Sequence, residues 1–277
     1  MADSIFNNVN NTNTILGLVN QLTAQMNAVM TPMADTTINH KRNVYPVTLP
    51  QNTPTLKYFG VGINGFYNIN DSNLSQPYRP SEENMDLYTP IPFRCVPVAD
   101  DLDAATRALY RMRTRETFGG DDYFCYWLKM ITFPNPSIDV TRVDLLTGTE
   151  TPYVFDNSNL NPIPDPNNGV DQVEEVTEKV VVSSEGVVEV TGAEIAEAIA
   201  IIYGGDFRYA RISEYGFYTG EDQEVEMYDA VGTPFDDTEA IYAQLATHRC
   251  STGVDVSDPA SVVTETVRYT NGSHYLI

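Results

Sequence analysis

The stretch from Thr191 to Gly220, TGAEIAEAIAIIYGGDFRYARISEYGFYTG, prescribes a helix and then a strand in a fixed order. Thr191 and Glu194 match T-x-x-E, the capping box in which each side chain answers the other's free backbone N–H, so a helix starts here and runs through Ile195 to Tyr203. The Gly204-Gly205 pair breaks it. Tyr209 to Tyr218 then carries the aromatic and β-branched residues of a strand. Nothing in this stretch is a catalytic group.

Strand patterns dominate the rest of the chain. Thr55 to Phe59, Tyr123 to Phe133, Ile138 to Leu146, Thr151 to Phe155, Val173 to Val182, Val187 to Val190, Ala240 to Cys250 and Val262 to Tyr269 have strand length and composition, between turns rich in Gly, Asp and Pro. Thr147 to Glu150 and Ser183 to Gly186 read as the turns of two hairpins. Trp127, the only tryptophan, is expected in the core. A further helix is expected from Asp100 or Asp101 to about Met112, with Leu102, Ala105, Leu109 and Met112 on one side. The expected fold is mainly β and β-sandwich-like, with an N-terminal helix and one or two further short helices.

Near the N-terminus, Ile15, Val19, Leu22, Met26, Val29 and Met33 recur at alternating spacings of four and three, one apolar stripe on a helix that starts near Asn13 or Thr14. The stripe spans under three heptads, too short for a free coiled coil, so it packs either on its own domain or on a neighbouring subunit. Pro32 ends the helix. Val44 to Pro54 follows as an extended arm in which Pro46, Pro50 and Pro54 forbid helix and confine pairing to an edge. Arg107, Arg111, Arg113 and Arg115 cluster in a chain with few cations; they either pair with its own carboxylates or dock another acidic subunit. The candidate subunit contacts are therefore Ile15, Val19, Leu22, Met26, Val29, Met33, Pro46, Pro50, Arg111, Arg113 and Arg115. Four regions are expected: helix and arm (1–42), a β-rich region with one helix (43–155), a Pro- and Asn-rich linker or crossover (156–170), and a second β-rich region with the capped helix (171–277), which the second region can join in one domain.

The chain has 38 acidic and 16 basic residues, a formal net charge of −22 that repels phosphates and anionic lipid, so neither direct sequence-specific nucleic-acid binding nor a membrane partner is expected. The first residues show no cationic region followed by an apolar run, and no run of 18 apolar residues occurs, so neither a classical export signal nor a membrane span is expected. Cys95, Cys125 and Cys250 are odd in number and far apart in sequence, with no metal-ligand spacing, and read as buried small apolar residues made in a reducing compartment. Gly60-Val61-Gly62-Ile63-Asn64-Gly65 matches G-x-G-x-x-G, but an extended segment follows it instead of the helix a pyrophosphate needs, so it reads as a glycine-rich strand or turn. The Asp100-Asp101, Asp121-Asp122 and Asp236-Asp237 doublets fit no calcium-loop pattern and read as solvated loops and helix starts. His248 and Cys250 make a catalytic pair only if a third group joins them in space. No catalytic residue, metal ligand or cofactor is expected, and the chain is not expected to be an enzyme.

Several separated blocks resemble a family of tailed-bacteriophage virion structural proteins: Tyr58 to Gly65, Tyr126 to Phe133, Thr151-Pro152-Tyr153 with Leu160-Asn161-Pro162, and Ile201 to Gly220, which includes Tyr203-Gly204-Gly205-Asp206 and Arg211-Ile212-Ser213-Glu214-Tyr215-Gly216. That resemblance implies a neck, collar or connector-associated part, assembled in the host cytoplasm and resident in the virion. Its partners would be copies of itself in a cyclic homo-oligomer and other virion proteins such as portal, adaptor, tail or fibre components. A tail, baseplate or capsid decoration protein belongs to the same class. A carbohydrate- or receptor-binding β-sandwich module is the alternative outside it, for which paired exposed aromatics would be the sign.

Overall fold

The structure, a computed structural model, describes residues 9–26, 34–44, 50–69, 74–133, 138–160 and 177–276. In chain order the first elements are β1 (Val9–Asn13), α1 (Ile15–Met26), α2 (Ile38–Arg42), β2 (Thr55–Gly62), β3 (Phe66–Asn68), β4 (Ser75–Pro77), β5 (Pro90–Ile91) and β6 (Arg94–Pro97). They continue with α3 (Ala104–Arg107), β7 (Tyr110–Phe118), β8 (Asp121–Met130), β9 (Asp139–Asp144), β10 (Glu150–Pro152), β11 (Glu178–Thr191), α4 (Gly192–Ile202), β12 (Arg211–Tyr228), β13 (Pro234–Asp255) and β14 (Val262–Leu276). The protein is mainly β, built of antiparallel sheets with an N-terminal helix and a few short ones. It divides into two compact units, residues 1–131 with 188–264, and residues 132–187 with 265–277. The stretch 156–170 falls within the span of the smaller unit, and its residues 161–170 lie outside the described ones.

The larger unit is organised by one sheet in the order β1-β13-β12-β2-β8-β6, with β5 added to β2 and β7 to β8. Its spine is the β12–β13 hairpin, whose strands are 18 and 22 residues long. The hairpin turns where the Asp229 carboxylate accepts from Val231 N and Thr233 N, with Gly232 left-handed at φ 86°. Tyr58, Phe59, Val61, Tyr215, Tyr218 and Leu245 are all but inaccessible and form much of the core. The G-x-G-x-x-G run belongs to this packing. A Cβ on Gly60 would stand 2.9 Å from the Tyr218 ring, and one on Gly65 would stand 2.1 Å from Ser213 O, so the glycines admit a tyrosine face and a neighbouring backbone rather than a phosphate.

Strand pairing breaks at several places in this sheet, and buried polar side chains take over the orphaned backbone groups. Tyr242 has φ 54°, and there Asn39 accepts from Ala243 N and donates to Ala240 O, both at 2.8 Å. Met112 has φ 59°, and the Glu239 carboxylate accepts from Met112 N, Arg113 N and Ala240 N. Each substitution of side chain for strand removes the penalty of an unpaired buried N–H or C=O. Desolvation nevertheless dominates at Glu239, whose carboxyl is pushed up to about 7 despite those three bonds.

Three expectations need correction. The helix expected to reach Met112 is a single turn, α3, capped by Asp103; from Tyr110 the chain is strand, paired with β8 from Tyr110↔Lys129 to Phe118↔Asp121, a ladder that outweighs the local helical pattern. Trp127 is half-buried rather than deep in the core: the Arg42 guanidinium stacks 3.2 Å from its ring centre, and its indole N–H donates to Thr114 Oγ1 at 2.8 Å. The hairpin expected around Ser183 to Gly186 is absent, because β11 runs unbroken and Gly186 does not adopt the left-handed backbone a tight turn requires.

The smaller unit holds the sheet β10-β9-β11-β14. Its β9–β10 hairpin turns at the expected place, with Gly148 at φ 70° and the Asp144 carboxylate accepting from Leu146 N and Thr147 N.

Candidate functional site

The N-terminal helix turns Leu16, Gly17 and Asn20 inward and its other large apolar residues outward. Thr14 starts it by accepting from Gly17 N at 3.0 Å, while Thr14 N donates to Ala246 O of β13 at 2.9 Å. At Gly17 the helix presses so closely on β13 that a Cβ would stand 2.3 Å from Ala246 O, a contact only glycine permits. One turn on, the buried Asn20 donates to Thr219 Oγ1 at 2.9 Å and to Gln244 Oε1 at 3.0 Å. Leu16, Gly17 and Asn20 are the buried residues of α1. Upstream, β1 pairs with β13 from Val9↔Ser251 to Asn13↔Thr247, which ties the N-terminal end of the helix to the sheet.

The stripe read from the heptad spacing faces away from all of this. Ile15 is 49% exposed, Val19 37%, Leu22 59% and Met26 69%, and Leu18, which the heptad spacing omits, is 50% exposed beside them. Five large apolar residues on one short helix make a contiguous face of the kind that marks an interaction surface. Val29, Met33 and Pro46 lie outside the described residues, and Pro50 is partly exposed.

The arginine cluster is matched within the chain. Arg107 pairs with Asp237 at 2.6 Å, Arg111 with Asp222 at 2.8 Å, Arg113 with Asp101 at 2.7 Å and Arg115 with Asp122 at 2.6 Å. Arg111 and Arg113 have nearly inaccessible side chains, so internal pairing accounts for them without an acidic partner. All three acidic doublets thereby acquire structural roles: Asp122 pairs with Arg115, Asp101 also accepts from the Tyr126 hydroxyl, and Asp237 anchors α3 through Arg107.

The His248 and Cys250 pair does gain a third group. Glu214 and His248 are both fully buried, with Nε2 3.3 Å from the Glu214 carboxylate, 3.6 Å from Cys250 Sγ, and Nδ1 3.0 Å from Asn84 Nδ2. Glu214 is otherwise occupied as an acceptor from Asn64 N, Tyr88 N and Thr89 N. Burial and the Glu214 charge push the Cys250 thiol up to about 12, away from the lowered range of an activated cysteine. With all three side chains closed to solvent, the arrangement fastens the loop at 64–65 and the segment at 84–89 to β12 and β13 and offers no path to a substrate. Sequence spacing missed Glu214, which lies on a different strand from His248 and takes its backbone donors from 125 to 150 residues away.

Among the described residues no group of three or more His, Cys, Asp or Glu side chains is placed to hold a metal ion, and no helix is long and apolar enough to cross a membrane. No curated protein and no solved structure matches this chain. A family model does match it, over residues 1–265, nearly the whole chain and both compact units in large part. The chain therefore belongs to that family, a family of unknown function (DUF7208).

Proposed function

We propose that the protein is a noncovalent assembly part of a tailed-phage virion, a component of the neck or collar that closes into a cyclic homo-oligomer. The observation that carries this reading is the outward apolar face of α1. A monomer would bury Ile15, Leu18, Val19, Leu22 and Met26 for a gain on the order of 1.5–3 kcal/mol for each side chain fully covered. Instead the helix spends its inner face on Thr14, Gly17 and Asn20, which hold it rigidly while keeping the apolar side free. A preorganised apolar helix suits helix-in-groove or helix-on-helix contact with a neighbouring subunit. The resemblance of Tyr58 to Gly65 and of Ile201 to Gly220 to phage virion proteins supplies the setting. The acidic chain suits a position next to DNA that must be conducted rather than bound.

Native mass spectrometry of the full chain and of a Leu22→Lys, Met26→Lys double variant tests the reading. A ring in the parent and a folded monomer in the variant are expected; a parent that stays monomeric at every concentration would move the weight to the alternative.

That alternative is a carbohydrate- or receptor-binding module, and one observation favours it. Tyr67, Tyr78 and Tyr88 are each about two-fifths exposed and adjoin one another, with ring centres 5.1 and 6.0 Å apart. Their planes are tilted 40° and 72°, so they make a stepped edge rather than one flat platform for a sugar. Loss of adsorption to host cell-wall glycans in Tyr67→Ala and Tyr78→Ala, with assembly unchanged, would establish it.

A further inference from the structure

Cys95 and Cys125 are thirty positions apart in sequence and face each other in the structure, with their sulfurs 2.8 Å apart. They are directly opposed in the antiparallel β6–β8 pair, flanked by Arg94↔Tyr126 and Val96↔Phe124. Directly opposed residues in such a pair have Cα atoms about 4.5–5.5 Å apart, within the roughly 4.4–6.8 Å that a disulfide spans. Bringing the sulfurs to the bonded distance of about 2.05 Å takes less than one ångström of approach, within reach of side-chain rotation alone. Both thiols are fully buried, in an apolar cluster with Ala198 of α4, against which Ile201, Ile202, Phe118 and Tyr123 pack. Cys250, the third cysteine, touches His248 instead, and no cysteine pairs with it among the described residues.

We propose that Cys95 and Cys125 are an oxidisable pair that closes to an intramolecular disulfide across β6 and β8 when the folded chain meets a peroxide. One thiolate attacks the peroxide O–O bond, leaving a sulfenic acid and releasing water; the second sulfur displaces the hydroxyl as another water. The two thiols lose two protons and two electrons, and the peroxide is reduced to two waters. This goes beyond the assembly reading and does not depend on it.

The place of the pair in the fold gives the bond a purpose. β6 ends the sheet order and has β8 as its strand partner, and beyond the packing of Cys95 the Arg94 to Glu197 ion pair at 2.6 Å ties it to α4. A disulfide would fasten this end strand covalently and close a loop that contains α3 and β7. The chain can thus be made and folded with free thiols in a reducing compartment and stiffened afterwards without rearrangement. Contact with Cys95 and burial hold the Cys125 thiol far above its ordinary range, so the folded protein reacts slowly, more slowly than a free thiol in the same solution.

The test treats the fully reduced, folded full chain with hydrogen peroxide, quenches, unfolds it in the presence of an alkylating agent and maps the peptides without reduction. Expected are a linked peptide joining Cys95 to Cys125, an alkylated Cys250, and a thermal unfolding midpoint raised by roughly 5–15 °C and returned by a reductant. Cys250→Ala should keep the link and the shift, and Cys125→Ala should lose both. Should Cys125→Ala fail to fold, the parent's peptide map decides alone. Three alkylated cysteines, a link through Cys250, sulfinic acid in place of the link, or a link that lowers the midpoint would each overturn the proposal.

Discussion

Two helices of nearly equal length in the larger unit obey opposite rules. α4, of 11 residues, buries its apolar positions: Ile195, Ala198 and Ile199 are inaccessible, its capping box is complete, and Gly204 and Gly205 end it with left-handed backbones at φ 61° and 79°. Glu194 goes beyond its capping role, pairing with Lys129 at 2.7 Å and accepting from the Tyr110 hydroxyl. α1, of 12 residues, buries Leu16, Gly17 and Asn20 and exposes its apolar stripe. An apolar stripe at helical spacing gives a helix one apolar side, but leaves open whether the chain's own core takes it up.

Removing the cation beneath α4 should have the largest effect on this contrast. Lys129→Met strands a buried carboxylate and should cost about 3–5 kcal/mol in a urea titration at neutral pH. Burial by itself would raise the Glu194 carboxyl; Lys129, Tyr110 and the Thr191 backbone outweigh it and hold it below its ordinary 4.5. That stabilisation is present above about pH 4.5 and is lost as the pH falls through the lower folded-state value, so parent and variant stabilities should converge in acid. Convergence in alkali instead would contradict the assignment.

Ile195→Ala should come next, at about 2–5 kcal/mol from lost burial and a residual cavity, with the mass of the proposed oligomer unchanged once folded. On α1, Asn20→Ala should cost only about 1–2 kcal/mol, because it leaves the buried Thr219 and Gln244 groups short of a donor; faster amide exchange confined to α1 and β1 is its signature. The smallest effect on stability belongs to Leu22→Ala, within about 0.5 kcal/mol of the parent, since the side chain is already in solvent. That same substitution should weaken subunit association most. If Leu22→Ala destabilises the isolated chain as Ile195→Ala does, the outward reading of α1 fails.

Much of the fold was legible because its signals are local. The T-x-x-E box and the Gly pair of α4, the Gly148 hairpin and the strand composition of β2, β8, β12, β13 and β14 each act over a few residues. The misreadings share one cause. Leu102 to Met112 has helical spacing, yet the β8 ladder claims Tyr110 onward; Ser183 to Gly186 has turn composition, yet β11 passes through it. Ile15, Val19, Leu22 and Met26, the described members of the heptad stripe, share the exposed face with Leu18, which the spacing omitted, and nothing in the spacing marked Asn20 as the residue that faces inward. For Cys95 and Cys125, sequence distance suggested isolation, and strand pairing put their sulfurs side by side.

Periodicity, capping chemistry and composition by themselves determined that this chain is mainly β, where α4 starts and stops, and that the first helix carries an apolar stripe. These depend on neighbours within one or two turns of the backbone, where sterics and hydrogen bonding are settled locally. The tertiary structure alone decided that the stripe faces solvent, that Arg111 and Arg113 are consumed internally, that Glu214 and Glu239 stand in for missing strands, and that two distant thiols meet. Each of those outcomes depends on strand register between residues far apart in the chain, and a shift of one residue reverses which side chains face each other.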